Sequence, residues 1–174
     1  MSRQYKGLVV DWPLDANKIR GEKESNTYGK EVRYKVDELT GKLVPRCHQG
    51  WDFTTKDGDQ VYSVAEGVVS AVHDGGDYGK KLTIKHTLPH GGFIYTFYAH
   101  LQSIIVNVGD KITIGQPICK AGSTGNASSL PSIDKHLHFE FRTQQDCGLG
   151  LVGRFSPFEA FGVCPLKEDI KRGD

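Results

Sequence analysis

The stretch Asp134-Lys-His-Leu-His-Phe-Glu-Phe-Arg142 carries two imidazoles and a carboxylate at every second position. Polar and apolar residues alternate through it without a break, the period of a half-buried strand. On such a strand His136, His138 and Glu140 share one face, and Leu137, Phe139 and Phe141 point into a core. Two imidazoles about 7 Å apart on a rigid face suit a metal site, one ligating and the other working beside it. Upstream, His48-Gln-Gly50-Trp-Asp52 places an imidazole and a carboxylate on one side of an extended segment, with Gly50 giving a metal room between them. Nitrogen and carboxylate oxygen are zinc donors. A third fragment, Tyr98-Ala-His100-Leu101, ends an apolar strand pattern with a histidine able to project over a sheet. Each fragment alone is weak evidence, because strand and turn histidines are common.

The elements that must hold these residues are short strands. Leu8–Val10, Val61–Val64, Gly67–Val72, Leu82–Ile84 and Phe93–Tyr98 are predicted strands separated by Gly/Asp turns. Glu31–Val44 is a predicted hairpin with Thr40-Gly41-Lys42 at its tip, charged enough to wall a groove. Ile104–Val108 and Ile112–Ile114 form a further predicted pair, and Ile118–Ala121 leads into the small-residue loop Gly122-Ser-Thr-Gly125. That loop lacks the Gly-Lys-Ser/Thr ending of a phosphate cradle. Phe155–Phe161 is a closing turn or short helix. No amphipathic helix longer than two turns is present, so the expected fold is all-β and predominantly antiparallel.

With 174 residues the chain has the length of one domain. The expectation is a single catalytic domain over 1–174: an N-terminal strand and charged hairpin (1–45), a core (46–161) and a C-terminal tail (162–174). A net charge of +1, without a basic stripe, excludes nucleic acid as a partner. No apolar run is long enough for membrane insertion. Four cysteines without a Cys-x-x-Cys pair argue against a thiolate zinc cage. Cys147 and Cys164 bracket a glycine-rich loop and are the expected disulfide, with Cys47 and Cys119 left open.

In this order, His48-x-Gly50-x-Asp52, Tyr98-Ala-His100-Leu101 and His136-Leu-His138-Phe-Glu140 resemble the lysostaphin-type (LytM-like) zinc metallopeptidases that act on bacterial peptidoglycan. The resemblance runs from about Trp12 to Phe161 and takes in Asp77-Tyr-Gly, Val108-Gly-Asp and Gly122-Ser-Thr-Gly125. It implies antiparallel sheets of the duplicated hybrid motif type forming an open groove. It also implies one Zn2+ held by His48, Asp52 and His138, with His100 and His136 as the catalytic pair. Three protein ligands leave a fourth tetrahedral position for water, whose pKa zinc lowers to about 7. His136 is expected to take the proton of that water. His100 is expected to stabilise the oxyanion or protonate the leaving amine. His73, His86 and His90 match no motif position and are expected in loops or facing solvent. The aromatic-glycine-x-Arg element of the family is stretched here into Tyr28-Gly-Lys-Glu-Val-Arg33.

The activity implied is a zinc endopeptidase cutting peptide stems or cross-links of peptidoglycan, working as a monomer. The N-terminus offers no apolar leader, so the chain is expected to be made in the cytoplasm and to act in the periplasm or wall of a target cell. That leads to an antibacterial effector, with type VI-like delivery and a cognate immunity protein. The alternatives are a phage lysis endopeptidase, or an inactive LytM-like module that activates other wall hydrolases. A thiol peptidase built on Cys47 and His48 is disfavoured, because no helix N-terminus is there to lower the thiol pKa.

Overall fold

The structure is a computed structural model that describes residues 3–174. β1 (Arg3–Tyr5) and β2 (Leu8–Val10) form a hairpin whose turn residues, Lys6 and Gly7, both take positive φ, as a tight primed turn requires. β3 (Ala16–Asn17) and two 3-10 turns (Arg20–Glu22 and Glu24–Asn26) follow. β4 (Gly29–Val36) and β5 (Leu43–His48) make the expected charged hairpin. Next come β6 (Trp51–Thr54), β7 (Gln60–Tyr62), β8 (Gly67–His73), β9 (Lys80–Thr87) and β10 (Phe93–Ile104). β11 (Lys111–Ile112), β12 (Pro117–Ala121), β13 (His136–Arg142) and β14 (Arg154–Phe155) complete a nine-stranded sheet with β6 to β10. α1 (Pro157–Phe161) is capped by Ser156 and stopped by Gly162 at φ 74°. β15 (Ile170–Lys171) returns to pair with β3. The strand pairings are antiparallel, as the patterning predicts.

The sheet forks along β10. One edge of β10 pairs with β9; the other pairs first with β13 and then, past Ala99, with β12. β13 is thereby flanked by β10 on one side and by β6 and β14 on the other. Its apolar face is the centre of the core: Leu137, Phe139 and Phe141 have no exposed surface. Phe139 and Phe141 meet edge to face at 5.0 Å, and Phe161 of α1 stacks on Trp12 at 4.2 Å. Each such side chain stabilises the fold by about 1.5–3 kcal/mol on burial. A one-residue slip of β13 would turn three of them outward, so the aromatic face fixes the register that the histidine face needs.

Several local expectations are corrected. Ile104–Val108 is not a strand, because β10 ends at Ile104 and an Asn107–Asp110 turn follows. Ile118–Ala121, which does lead into the small-residue loop, belongs to β12, held between β7 and β10. The Cys147–Cys164 bridge is absent; all four cysteines are free thiols. The loop it was to close is closed otherwise: Thr143 N donates to Gly153 O at 2.8 Å, and Arg154 Nη1 donates to Gly148 O and Gly150 O at 2.9 Å each. Cys164 packs against the core instead.

His86 is also corrected: it has no exposed surface, whereas His73 and His90 are exposed. β9 is covered on both faces, so alternation along it does not report solvent. The imidazole is satisfied as a neutral ring, Nδ1 donating to Glu66 O at 2.6 Å and Nε2 accepting from Thr96 Oγ1 at 2.8 Å. Burial pushes its pKa from 6.5 down to about 4. The unfolded chain therefore binds a proton that the folded one refuses. The stability from this neutral ring is fully present above pH 6.5 and is lost as the pH falls toward 4. It amounts to about 3 kcal/mol. Urea unfolding of wild type and His86→Gln at pH 7 and pH 4.5 is expected to show a shallower pH slope in the variant; equal slopes would reject the account.

Candidate metal centre and active-site cleft

The register of β13 against β6 sets His138 opposite Asp52. His48 ends β5, and the chain passes through Gln49-Gly50 into β6. The three side chains converge: His138 Nδ1 lies 2.8 Å from Asp52 Oδ1, and His48 Nε2 lies 3.1 Å from the same oxygen and 3.3 Å from His138 Nδ1. All three residues are buried. Gly50 does not serve the expected purpose. A Cβ there would stand 2.1 Å from the Phe139 carbonyl oxygen, so the glycine makes room for β13 rather than for a metal.

Each converging atom is backed by a partner that turns its lone pair inward. His48 Nδ1 donates to Thr27 O at 3.0 Å, leaving Nε2 as the free nitrogen. His138 Nε2 donates to Glu140 Oε1 at 2.9 Å, leaving Nδ1 free. Arg33 Nη2 holds the outer oxygen of Asp52, Oδ2, at 2.7 Å. Three lone pairs so oriented repel one another unless a cation lies between them. Their spacing is close to the roughly 3.3 Å edge of a tetrahedron with bonds of 2.0–2.1 Å. The donor set fits zinc. The electrostatics agree: burial opposes charge on Asp52, yet His48 and His138 hold its pKa well below the usual value. Burial also opposes charge on His138, but its bonds to Asp52 and Glu140 raise the pKa, which favours a proton between Nδ1 and Asp52 at the place a bound cation would take.

His100 reaches the same face through a backbone irregularity. By alternation after Tyr98 (core) and Ala99 (opposite His138), it would point into the core. Instead it takes φ 60°, where the register of β10 against β9 shifts, and the ring swings over the cleft. Its N–H donates to Tyr78 O at 2.9 Å and its Nδ1 to Thr124 O at 2.9 Å. The ring centroid lies 4.9 Å from that of His136. Burial, then the neighbouring His136 and His138, push the His100 pKa down to about 4. The loop carrying Thr124 is locked by two glycines: a Cβ on Gly79 would meet Thr124 Oγ1 at 2.4 Å, and one on Gly125 would meet Asp77 O at 2.3 Å. At these groups opens a cleft of about 450 Å³, lined also by Arg20, Arg33, Asp77, Asn126, Leu130 and Leu149.

Residues 46–147 match Peptidase family M23. The chain belongs to peptidase family M23. M23 members are zinc-dependent metallopeptidases, and the antiparallel fold and the His48–Asp52–His138 cluster agree with that membership. Among curated M23 relatives, the peptidoglycan DD-endopeptidase ShyB of Vibrio cholerae is 38% identical over 102 residues, covering 59% of this chain and 21% of ShyB. Among solved structures, a zinc-containing peptidase from Vibrio cholerae superposes with a TM-score of 0.57 at 30% identity, covering 81% of this chain and 36% of that one. The catalytic domain of lysostaphin from Staphylococcus simulans gives 0.56 at 25% identity, covering 76% and 86%. The chain thus spans about a fifth of the length of ShyB.

Sequence reasoning missed the residues that support the M23 cluster. Glu140 lay on the histidine face by alternation, but its partners were not foreseen. Oε1 takes the His138 bond and one from Tyr78 Oη at 3.2 Å; Oε2 accepts from Arg142 Nε and Arg154 Nε at 2.6 Å each. Glu140 has no exposed surface and both arginines are buried. Glu140→Ala would strand two guanidiniums in the interior and is expected to destabilise the protein by about 3–5 kcal/mol. Arg142→Met, which leaves Arg154 on the carboxylate, is expected to cost less. Denaturant titration of the two variants ranks them; equal losses would contradict the shared-carboxylate arrangement. Arg20 and Arg33 were missed as well. The stretched Tyr28–Arg33 element was the one available signal, and it marks the strand that brings Arg33 to Asp52.

Proposed function

We propose that the protein is an endopeptidase of bacterial peptidoglycan, cutting peptide stems or cross-links, with zinc held by His48, Asp52 and His138 and with His100 and His136 as the catalytic pair. The observation that carries this reading is the set of three inward lone pairs beside two uncharged imidazoles in an open cleft. The names of its relatives, peptidoglycan DD-endopeptidases, support the wall as substrate. The complete donor set and both imidazoles speak against an inactive activator module. When bound, zinc supplies Lewis acidity, polarising a peptide carbonyl and bringing the pKa of a water to about 7.

The two histidines divide the remaining work in the reverse of the sequence-based expectation. Thr124 O can only accept, so the proton of His100 sits on Nδ1 and its Nε2 lone pair faces the cleft. Its lowered pKa keeps that nitrogen free at neutral pH, and His100 is the general base. His136 has Arg20 Nη1 at 2.8 Å from its Nδ1. A guanidinium only donates, so it opposes a proton on Nδ1 and places the ring proton on Nε2. Asp134 O, which competes for Nδ1 at 2.9 Å, is itself reached by Arg20 Nη1 at 3.3 Å. Nε2 of His136, 3.8 Å from Asp52 Oδ2, then offers a hydrogen bond to the developing oxyanion.

Mass spectrometry of fragments released from purified Gram-negative sacculi, with and without a chelator, tests the activity and identifies the bond. New termini within peptide stems or cross-links, lost on chelation and restored by zinc, are expected; intact sacculi would overturn the reading. The same reading extends to attack on the wall of another cell, with an immunity protein closing the cleft of a monomeric enzyme. Expression in a Gram-negative host is expected to lyse it only from behind a periplasmic signal. Equal toxicity from the cytoplasm would overturn that extension.

A further inference from the structure

Leu149 is 96% exposed, yet it stands in the wall of the cleft that holds the site histidines. It is carried by the 143–153 loop, which lies mostly outside the segment matched to M23. Val152 is 81% exposed too, and only Leu151 of the loop's aliphatic side chains is half-buried. Two guanidiniums tie its backbone in place. Arg154 Nη1 donates to the carbonyls on both sides of Leu149, Gly148 O and Gly150 O, and Arg142 Nη1 donates to Gln145 O at 3.1 Å. Both guanidiniums are fixed at their other end on Glu140, the carboxylate that orients His138. A buried charged pair is costly to build, and here it fixes the backbone on both sides of an exposed apolar side chain in the cleft wall.

We propose that Leu149 is a substrate-contacting residue, packing on an apolar part of the peptide bound in the cleft, and that Arg154 is the positioning residue that holds it there. The proposal rests on the peptidoglycan reading above. Truncating a leucine that lines a peptide subsite raises KM by roughly tenfold. Soluble muropeptides from Gram-negative sacculi are the probe, with cleavage measured at steady state and binding by titration. Leu149→Ala is expected to raise KM and weaken binding about tenfold, with kcat and zinc content unchanged. Arg154→Lys keeps the charge but loses the forked bond; it is expected to show the same KM change and faster hydrogen exchange across residues 143–153. The double variant is expected to be no worse than either single one. A silent Leu149→Ala overturns the substrate role of this side chain, and additive effects or zinc loss in Arg154→Lys overturn the positioning role. Should Arg154→Lys not fold, Leu149→Ala, altering only an exposed side chain, still decides whether the leucine meets substrate. A wild type that binds muropeptides without cutting them overturns the endopeptidase reading alone, and the Leu149→Ala affinity then decides the inference. One that does neither overturns both.

Discussion

His138→Ala is expected to emerge from purification without zinc and with cleavage reduced about 10³-fold or more, the rate equivalent of the several kcal/mol a metal ion contributes. The cause lies in the number of inward lone pairs. Without the imidazole, only His48 and Asp52 remain, and among the described residues no further donor joins that cluster. His136→Ala is expected to keep near-stoichiometric zinc, because its Nε2 stands 3.8 Å from Asp52 and outside the converging set. Metal content of the two purified proteins separates the cases. Equal zinc loss in both would break the ligand assignment.

His100→Ala is expected to lower kcat by about 10²–10⁴-fold, the range for removal of a general base. His136→Ala is expected to lower it about 10²–10³-fold, as for an oxyanion donor. Size alone does not tell a base from a donor, but rescue does. Added imidazole can accept a proton in the space vacated by His100, whereas a missing oriented donor is not replaced by a free base. Partial recovery is therefore expected in His100→Ala only; recovery confined to His136→Ala would return the base to that residue. Alanine inherits the positive φ of position 100 rather than introducing it, so the loss there is chemical and not a new backbone strain.

These expectations depend on features that differ in how plainly the chain displays them. The face of β13 is readable because strict alternation maps sequence directly onto two sides of a strand, and Leu137, Phe139 and Phe141 do fill the core. The approach of His48 and Asp52 to His138 follows from a motif resemblance, and the register of β6 on β13 supplies its geometry. The orientation of His100 is not readable, because it arises from a bulge that breaks the alternation any pattern relies on. Arg20 and Arg154 are invisible for another reason, and Arg33 is marked only by the stretched Tyr28–Arg33 element. All three come from outside residues 46–147 and meet the site only through tertiary packing. Composition misleads at His86 and at the cysteines: a polar residue on a covered strand resembles a surface one, and a glycine-rich loop resembles one that needs a covalent clasp.

Asp52 and His138 are 86 residues apart in the chain, and this separation bears on how the protein acquires its ion. Before β6 and β13 find each other, the only neighbouring donors are His48 and Asp52, a pair too sparse to select among divalent metals. The full set comes into being only when β6 pairs with β13. An ion held by that set would close a long loop, and its removal is expected to lower thermal stability as well as activity. A nitrogen and oxygen site of this kind takes copper more strongly than zinc. The metal available where the chain folds is therefore expected to weigh on which ion it carries, beside the geometry of the three donors.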